Sequence, residues 1–442
     1  MLVGKTKSVC PVCLKVLDAE KHTGDDSYIY MQKICPEHGR FNSLIWEGDL
    51  KSYLRWEVES SVIESPVGGK SVDKGCPYDC GLCEEHLRKG CCMLLELTNR
   101  CNLHCPVCFA DAGNQQPKDL SLLEIEKQYD YLMSHGGPFN IQLSGGEPTM
   151  RDDLPEIIQL GLNKGFNFFQ LNTNGIRIAE ESEYAKELKA AGLNTVFLQF
   201  DSLNNKTYEI LRSRPLFEYK LKAIENCEKA GLGIVLVPVI AAGVNDNEVG
   251  DIIRFAISKM PAVRGVHFQP ISYFGRCGLG RPDKPITIPK MLNLIETQTK
   301  GKMKYNDFIG GGAENPYCSF HASYIISKDG SFKALKNKTD SCCCCTTSDD
   351  SRKFVANQWD GNGAAIPFYD SKLSETSELD KFLEDAHKNT FALSGMIFQD
   401  AYNFDLSRIK RCYICEVDSD YGMVPFCAYN LTNCKGNYLY RK

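Results

Sequence analysis

Three cysteines on one short stretch, Cys101, Cys105 and Cys108, stand in a C-x3-C-x2-C spacing. Zinc ribbons use two C-x-x-C knuckles, and two-cluster ferredoxins a run of four cysteines. Three thiolates on one loop can instead hold three irons of a [4Fe–4S] cube and leave the fourth without a protein ligand. An open iron is what a chelating small molecule needs. Exposed, clustered thiols are reactive and rarely gratuitous, so these three are read as catalytic metal ligands.

The same spacing recurs at Cys76, Cys80 and Cys83, with Cys91 and Cys92 shortly after. A fourth cysteine there closes a cube with no open iron. Cys91 or Cys92 is the expected donor and Cys92 the one assigned, while His86 and a zinc site stay open as alternatives. Upstream, Cys10-Pro-Val-Cys13 and Cys35-Pro-Glu-His38 form two knuckles of a tetrahedral mononuclear site, zinc-ribbon or rubredoxin-like, for iron or zinc. Downstream, Cys318, Cys412 and Cys427 with Cys415 or Cys434 could bind a second auxiliary cluster; Cys415 is the assigned fourth. Cys342 to Cys345 are consecutive, and neighbouring side chains of an extended segment point to opposite faces. At most two of them reach one metal. Cys227 and Cys277 stand alone and read as plain buried residues.

The elements that position these thiols follow from pattern. From residue 92 to about 275, apolar strands alternate with helices, the signature of a parallel βα architecture. Strands are expected at Met93–Leu97, Phe139–Leu143, Phe166–Leu171, Thr195–Phe200, Ile234–Ile240 and Gly265–Gln269, each a near-continuous apolar or β-branched run. Ser121-Leu-Leu-Glu124 is a capping box opening one helix. Asp152-Asp-Leu-Pro-Glu starts another, and a long one is expected from Ile178 to Ala191. The expected divisions are a rubredoxin-like or zinc-ribbon metal module over 1–70, an auxiliary iron–sulfur segment over 71–92, a partial barrel over 93–275 and a Cys-rich auxiliary-cluster domain over 276–442.

Composition narrows the class. At 442 residues the chain is long enough for two or three domains. A net charge of −5 gives no reason to expect a nucleic-acid partner. The N-terminus has no signal-peptide core, and no window approaches the length that spans a bilayer. A cytoplasmic location is expected. In a reducing compartment, 22 cysteines argue for metals rather than disulfides.

The cysteine loop, followed one βα unit later by Ser144-Gly145-Gly146-Glu147-Pro148, resembles the radical S-adenosylmethionine (SAM) superfamily. That resemblance implies an α/β fold, a partial (β/α)6 barrel. In the superfamily the amino acid end of SAM chelates the open iron, and the reduced cluster cleaves SAM to a 5′-deoxyadenosyl radical. By the same resemblance, Gly145, Gly146 and Glu147 hold the SAM amino group. Thr173 and Asn174 lie on a loop that reaches SAM, Asp201 contacts its ribose or carboxylate, and Val239 belongs to the segment that pairs with adenine. Where the superfamily usually has an aromatic before the third cysteine, this chain has Val107, and Phe109 follows.

The run Gly75 to Cys83, the run Leu97 to Ala110, and the tail segments Phe398 to Asp405, Lys410 to Cys412 and Val424 to Asn430 resemble, more narrowly, archaeal tetraether lipid synthase and its bacterial relatives. That group implies two auxiliary [4Fe–4S] clusters beside the SAM cluster, a rubredoxin-like metal, and C–C coupling of lipid alkyl chains. It implies a lipid or other apolar substrate, docking peripheral to a membrane surface, and a low-potential electron donor such as ferredoxin or flavodoxin. Two other activities fit the same motifs: a maturase acting on a peptide or protein side chain, and an enzyme that modifies a pterin. A non-enzymatic iron–sulfur carrier is the remaining reading, and the Gly145–Glu147 turn counts against it.

Overall fold

The computed structural model describes residues 1–57, 62–113, 119–327, 330–335, 347–359 and 389–441. The chain opens with a four-stranded antiparallel sheet of β1 (Leu2–Val9), β2 (Val16–Thr23), β3 (Ile29–Cys35) and β4 (Gly39–Trp46), paired in that order. Alternation in β3 turns Ile29, Met31, Lys33 and Cys35 inward. Lys33 is buried, and its amine donates to Ser8 Oγ at 2.9 Å and to the Ala401 carbonyl at 2.7 Å. Through that amine the first module is tied to the far end of the chain.

The main sheet contains the six expected strands: β5 (Cys92–Thr98), β7 (Asn140–Gly145), β8 (Phe169–Thr173), β9 (Thr195–Gln199), β10 (Gly233–Val237) and β12 (Val263–Pro270). They pair parallel, each with the next in sequence, and helices make the crossovers. The fold is therefore the partial (β/α)6 barrel, preceded by the ribbon and followed by a Cys-rich region. Short strands β6 (Val107–Cys108), β11 (Val239–Ile240) and β13 (Arg276–Cys277) decorate its C-terminal end.

The region beyond residue 276 extends this sheet on both sides. Strand β16 (Thr390–Met396) pairs parallel with β12, and β17 (Ile414–Asp418) pairs parallel with β5. Eight parallel strands thus stand in one row. Antiparallel β14 (Ser319–Ile326), with β15 (Phe332–Ala334) beyond it, covers one edge, and β18 (Gly422–Pro425) covers the other. Covered edges remove unpaired backbone from both ends of the row.

The two faces of the sheet differ. Met93, Leu95 and Leu97 of β5, Ile141 and Leu143 of β7, and Phe169 and Leu171 of β8 are fully buried under the helices. The alternate positions Glu96, Gln142 and Asn172 point into the barrel and are partly exposed. At the N-terminal end the barrel is floored by the helix Ser348–Trp359. Its Trp359 meets Phe197 edge-on at 5.9 Å and packs with Phe168, Val235 and Ala392.

The capping box expected at Ser121 and Glu124 opens the helix Leu122–Ser134. The long helix expected from Ile178 to Ala191 is instead two, Ile176–Glu180 and Tyr184–Ala190. The break falls in Glu180-Glu181-Ser182-Glu183, where acidic side chains oppose a helix C-terminus and favour the N-terminus of the next. Arg177 secures the bend by pairing with Glu181 at 3.1 Å and lying over the Tyr184 ring at 4.2 Å. No helix among the described residues is long and apolar enough to cross a membrane. The run Cys342 to Cys345 lies outside the described residues.

Burial pulls the imidazoles of His267 and His321 down to about 4, so both are neutral in the folded protein. The unfolded chain binds protons on them near 6.5. Stability should therefore fall as pH drops from about 6.5 towards 4. Thermal melts across that window should show a smaller acid-side loss for His321→Gln than for the wild type.

Candidate functional site

Strand β5 ends at Thr98 and passes into the loop that carries Cys101, Cys105 and Cys108 at the C-terminal mouth of the barrel. Functional residues gather at this end of parallel barrels. Two arginines hold the loop from beneath and from the side. Arg212 chelates Asp201 through Nε and Nη2 at 2.7 and 2.8 Å, and its Nη1 donates to the Val107 carbonyl at 3.0 Å. Arg276 donates to the Cys105 carbonyl at 2.7 Å, to Asp111 at 2.7 Å and to the Ala112 carbonyl at 2.9 Å. Strand β13, which carries Arg276, pairs antiparallel with β6, so Arg276 lies opposite Cys108. Gly275 makes this approach with φ +64°, and a Cβ there would lie 2.4 Å from the Phe109 carbonyl oxygen.

Burial pushes the Cys101 thiol up to about 12 and raises the Cys105 thiol too; the Arg212 guanidinium opposes the rise at Cys105. A fixed cation beside Cys105 favours its anionic, metal-binding form.

The turn after β7 serves the loop directly. Gly145 has φ +120°, and a Cβ on it would lie 2.3 Å from the Thr98 carbonyl oxygen. The backbone N–H of Gly146 donates to Thr98 at 2.7 Å and that of Glu147 to Arg100 at 2.8 Å. The close approach these glycines permit is to the cysteine loop itself. Glu147 is 1% exposed and accepts from Thr149, from Thr173 Oγ1 at 2.7 Å and from the Asn174 N–H at 2.7 Å. Asn174 Nδ2 reaches Asn102 of the loop at 2.6 Å.

Two positions for which the resemblance implies a ligand contact also make contacts within the protein. Both oxygens of the fully buried Asp201 are engaged by Arg212, and Oδ1 also accepts from the Val239 N–H at 3.0 Å. The Val239 carbonyl accepts from Asn245 at 2.8 Å. Asp201 and Val239 therefore also help to brace the loop. The signals for Arg212 and Arg276 were faint. One sits at the end of an amphipathic helix, Asn205–Arg212, and the other between glycines just past the last barrel strand.

The other thiols fall into separate groups. Ligand atoms of Cys10, Cys13, Cys35 and His38 all lie within 4.8 Å of one another, as a single tetrahedral ion requires. His38 Nδ1 is 3.6 Å from Cys10 Sγ and 3.4 Å from Cys35 Sγ. The C-terminal segment grips this knuckle: the Cys434 N–H donates to the Pro11 carbonyl at 2.8 Å and Asn433 Nδ2 to Val12 at 2.9 Å.

Cys76, Cys80 and Cys83 form a second set, and Tyr440 Oη accepts from the Cys80 N–H at 2.9 Å. Cys92 is not with them. It starts β5 and packs with Cys91, Ala313 and Tyr413, its sulfur 3.8 Å from that of Cys91. His86 is committed to the Cys412 carbonyl at 2.6 Å.

Cys318, Cys412 and Cys427 line a third site, a small cavity with Glu314, Phe398 and Phe426 on its walls. Arg408 Nε donates to Cys318 Sγ at 3.3 Å. Cys415 is not on the cavity wall: it is fully buried in the core on the face of β17 opposite Ile414, which lines the cavity, because adjacent strand residues point to opposite faces. Cys434 is exposed beside the ribbon. The rings of Phe109, Phe426 and Phe398 bridge the cysteine loop and this cavity, with centroids 5.3 and 4.5 Å apart.

A larger cleft, enclosing about 680 Å³ and partly open to solvent, lies between the ribbon and the barrel mouth. Trp46 and Lys21 of the ribbon form one wall. Ile271, Phe398 and Asp400, just past β12 and β16, form the other, with Arg281 between them. Lys21 pairs with Asp405 at 2.7 Å across it.

Two outcomes test these placements. Arg276→Ala should release the cysteine loop and lower the iron bound after anaerobic reconstitution, and Arg276→Lys should not restore it, because an ammonium cannot span three acceptors in a fork. Iron and labile sulfide assays decide the point. Separately, the wild type should hold one tightly bound mononuclear ion that His38→Ala loses, read by elemental analysis alongside an unchanged sulfide content.

Residues 95–256 match the model of the radical SAM superfamily, and residues 2–47 match an N-terminal zinc ribbon domain described as HMPTM. The 7,8-dihydro-6-hydroxymethylpterin dimethyltransferase of Methanocaldococcus jannaschii is 35% identical over 96% of this chain and 93% of its own length. The GTP 3′,8-cyclase of Alkaliphilus oremlandii is 31% identical over 54% of this chain and 79% of its own. Among solved structures, Streptococcus suis SuiB bound to S-adenosylmethionine aligns with TM-score 0.41 and 16% identity, over 49% of this chain and 48% of that one. Methylornithine synthase (PylB) aligns with TM-score 0.39 and 16% identity, over 48% of this chain and 64% of that one. The chain thus spans about half to two thirds of the solved structures it matches, and nearly all of the dimethyltransferase. It belongs to the radical SAM superfamily, in the family of that dimethyltransferase.

Proposed function

We propose that this radical SAM enzyme modifies a reduced pterin, beginning with transfer of a hydrogen atom from a C–H bond on or beside the ring to the 5′-deoxyadenosyl radical. The observation that carries this is the end-to-end similarity to the pterin dimethyltransferase, which takes in ribbon, barrel and Cys-rich tail together. Coupling of lipid alkyl chains draws no support from the cleft at the barrel mouth, where Lys21, Arg281, Asp400, Asp405 and Arg408 bring charge.

The donor sets fit the cofactors of the superfamily. Cys101, Cys105 and Cys108 would hold the [4Fe–4S] cluster that binds SAM, with the Gly145–Glu147 turn and Asn174 fixing the loop against the strand ends. When bound and reduced, that cluster supplies homolytic cleavage of SAM and a hydrogen-abstracting radical. Arg212 keeps positive charge beside the thiolates, and the Phe109, Phe426 and Phe398 rings exclude water between the loop and the third cysteine site. Cys76, Cys80 and Cys83 would carry one auxiliary cluster. Cys318, Cys412 and Cys427 would carry another, with Glu314 rather than Cys415 on the remaining wall. Cys10, Cys13, Cys35 and His38 would hold zinc or iron. The reduction calls for a low-potential donor such as a ferredoxin or flavodoxin.

The test is an anaerobic assay with SAM, a strong reductant and 7,8-dihydro-6-hydroxymethylpterin. Formation of 5′-deoxyadenosine should rise at least tenfold on adding the pterin, and mass spectrometry should find deuterium from a labelled pterin in the 5′-deoxyadenosine. Cleavage of SAM that is indifferent to the pterin, together with tail-to-tail coupled chains in the lipids of an expressing host, would restore the lipid reading.

A further inference from the structure

The interior of the barrel carries polar side chains that water reaches, beside the buried Gln170, Thr195 and Val235. Along the parallel strands, the residues facing the helices are fully buried apolar side chains. The inward positions Gln142 of β7, Asn172 of β8, His267 of β12 and Ser394 of β16 are each partly exposed. A packed barrel would bury both sets alike. Water therefore reaches between these strands, above an aromatic base where Phe197 lies 6.0 Å from the His267 ring and meets Trp359 edge-on.

The polar groups are arranged on two walls. On one, Gln170 Nε2 donates to Asn172 Oδ1 at 2.8 Å, and Asn172 Nδ2 lies 3.4 Å from Gln142 Oε1. That ladder fixes the amides and leaves the Gln142 NH2 group to donate into the barrel interior. Across the row, four strands away from β7, His267 Nδ1 sits 2.8 Å from Ser394 Oγ. With Nδ1 engaged, the ring presents Nε2 to the barrel interior. The imidazole is neutral near pH 7, so it brings no charge, only one hydrogen-bonding position.

An alkyl chain entering this space would strip water from amide and imidazole groups and return no hydrogen bond. A flat heterocycle with donors and acceptors around its rim satisfies both walls and lies over the aromatic floor. We infer that His267, held by Ser394, and Gln142, held by Asn172, are the specificity-determining residues that read the hydrogen-bonding rim of a planar bicyclic heterocycle of the pterin class. This rests on the proposed pterin reaction and deepens it.

The test uses the reconstituted holoenzyme with 7,8-dihydro-6-hydroxymethylpterin as the probe and a long-chain glycerol ether as the competitor chemistry. Gln142→Leu and His267→Phe keep approximate volume and remove the polar atoms. Each should raise KM for the pterin at least tenfold with a smaller change in kcat, and His267→Gln, which keeps a polar tip, should recover part of the loss. Iron content and melting temperature guard against misfolding. Should His267→Phe fold poorly, Ser394→Ala, which only frees the ring, should move KM in the same direction. If the wild type turns over the pterin while all these variants keep its KM, this assignment is overturned and the pterin reaction stands. If the wild type ignores the pterin and acts on the glycerol ether, both fall together.

Discussion

Arg212 and Asp201 meet at the point on which the reactive end of the molecule depends. Both are fully or nearly fully buried, their contact is bidentate, and the third arm of the guanidinium ends on the backbone of the cysteine loop. A buried ion pair is a poor source of net stability, because desolvation offsets most of the attraction. Its value here is positional. Losing either partner would strand a charge directly under three thiols, so the pair admits one arrangement of loop, β9 end and β11 segment. Arg276 makes the matching contact from the other side, and the Gly145–Glu147 turn closes the third. The loop is thus fixed by protein contacts on three sides before any metal arrives.

The same barrel separates two kinds of surface. Outward, apolar side chains pack under helices and supply the stability; inward, amides and an imidazole are partly exposed. The Cys-rich region contributes to both. Strands β16 and β17 lengthen the parallel row, while Cys318, Cys412 and Cys427 gather just past their ends. The ribbon then leans over the mouth through Lys21, Lys33 and Trp46, so its metal knuckles and the C-terminal segment support one another.

Much of this was legible in the sequence. The six strands, the capping box at Ser121, the ribbon ligands and the place of the cysteine loop follow from local pattern, because hydrophobic runs, caps and knuckle spacings are short-range signals. What escaped was long-range. Strands β16 and β17 are separated from their partners by more than a hundred residues, so nothing local marks them as members of the barrel. Cys92 and Cys415 were assigned by nearness in sequence, whereas strand alternation turns them into other environments. The ion pair of Asp201 with Arg212 joins residues on a strand end and a helix end, and no spacing announces it. The helix broken near Glu181 shows apolar periodicity carried past a run of acids that a helix end does not tolerate. The polar interior was present as alternation in Asn140-Ile-Gln-Leu-Ser and Phe169-Gln-Leu-Asn-Thr, hidden because the outward residues dominate the apolar count.

On the proposed assignment, Cys101, Cys105 and Cys108 would hold a cluster and leave one of its irons open to SAM. Electron paramagnetic resonance of the reduced, reconstituted protein, recorded with and without SAM, addresses that iron directly. The account predicts that SAM shifts the g-values of one cluster and leaves the signals of the others in place, with the shift absent in Cys105→Ala. A spectrum unchanged by SAM, in protein carrying its full iron, would contradict it.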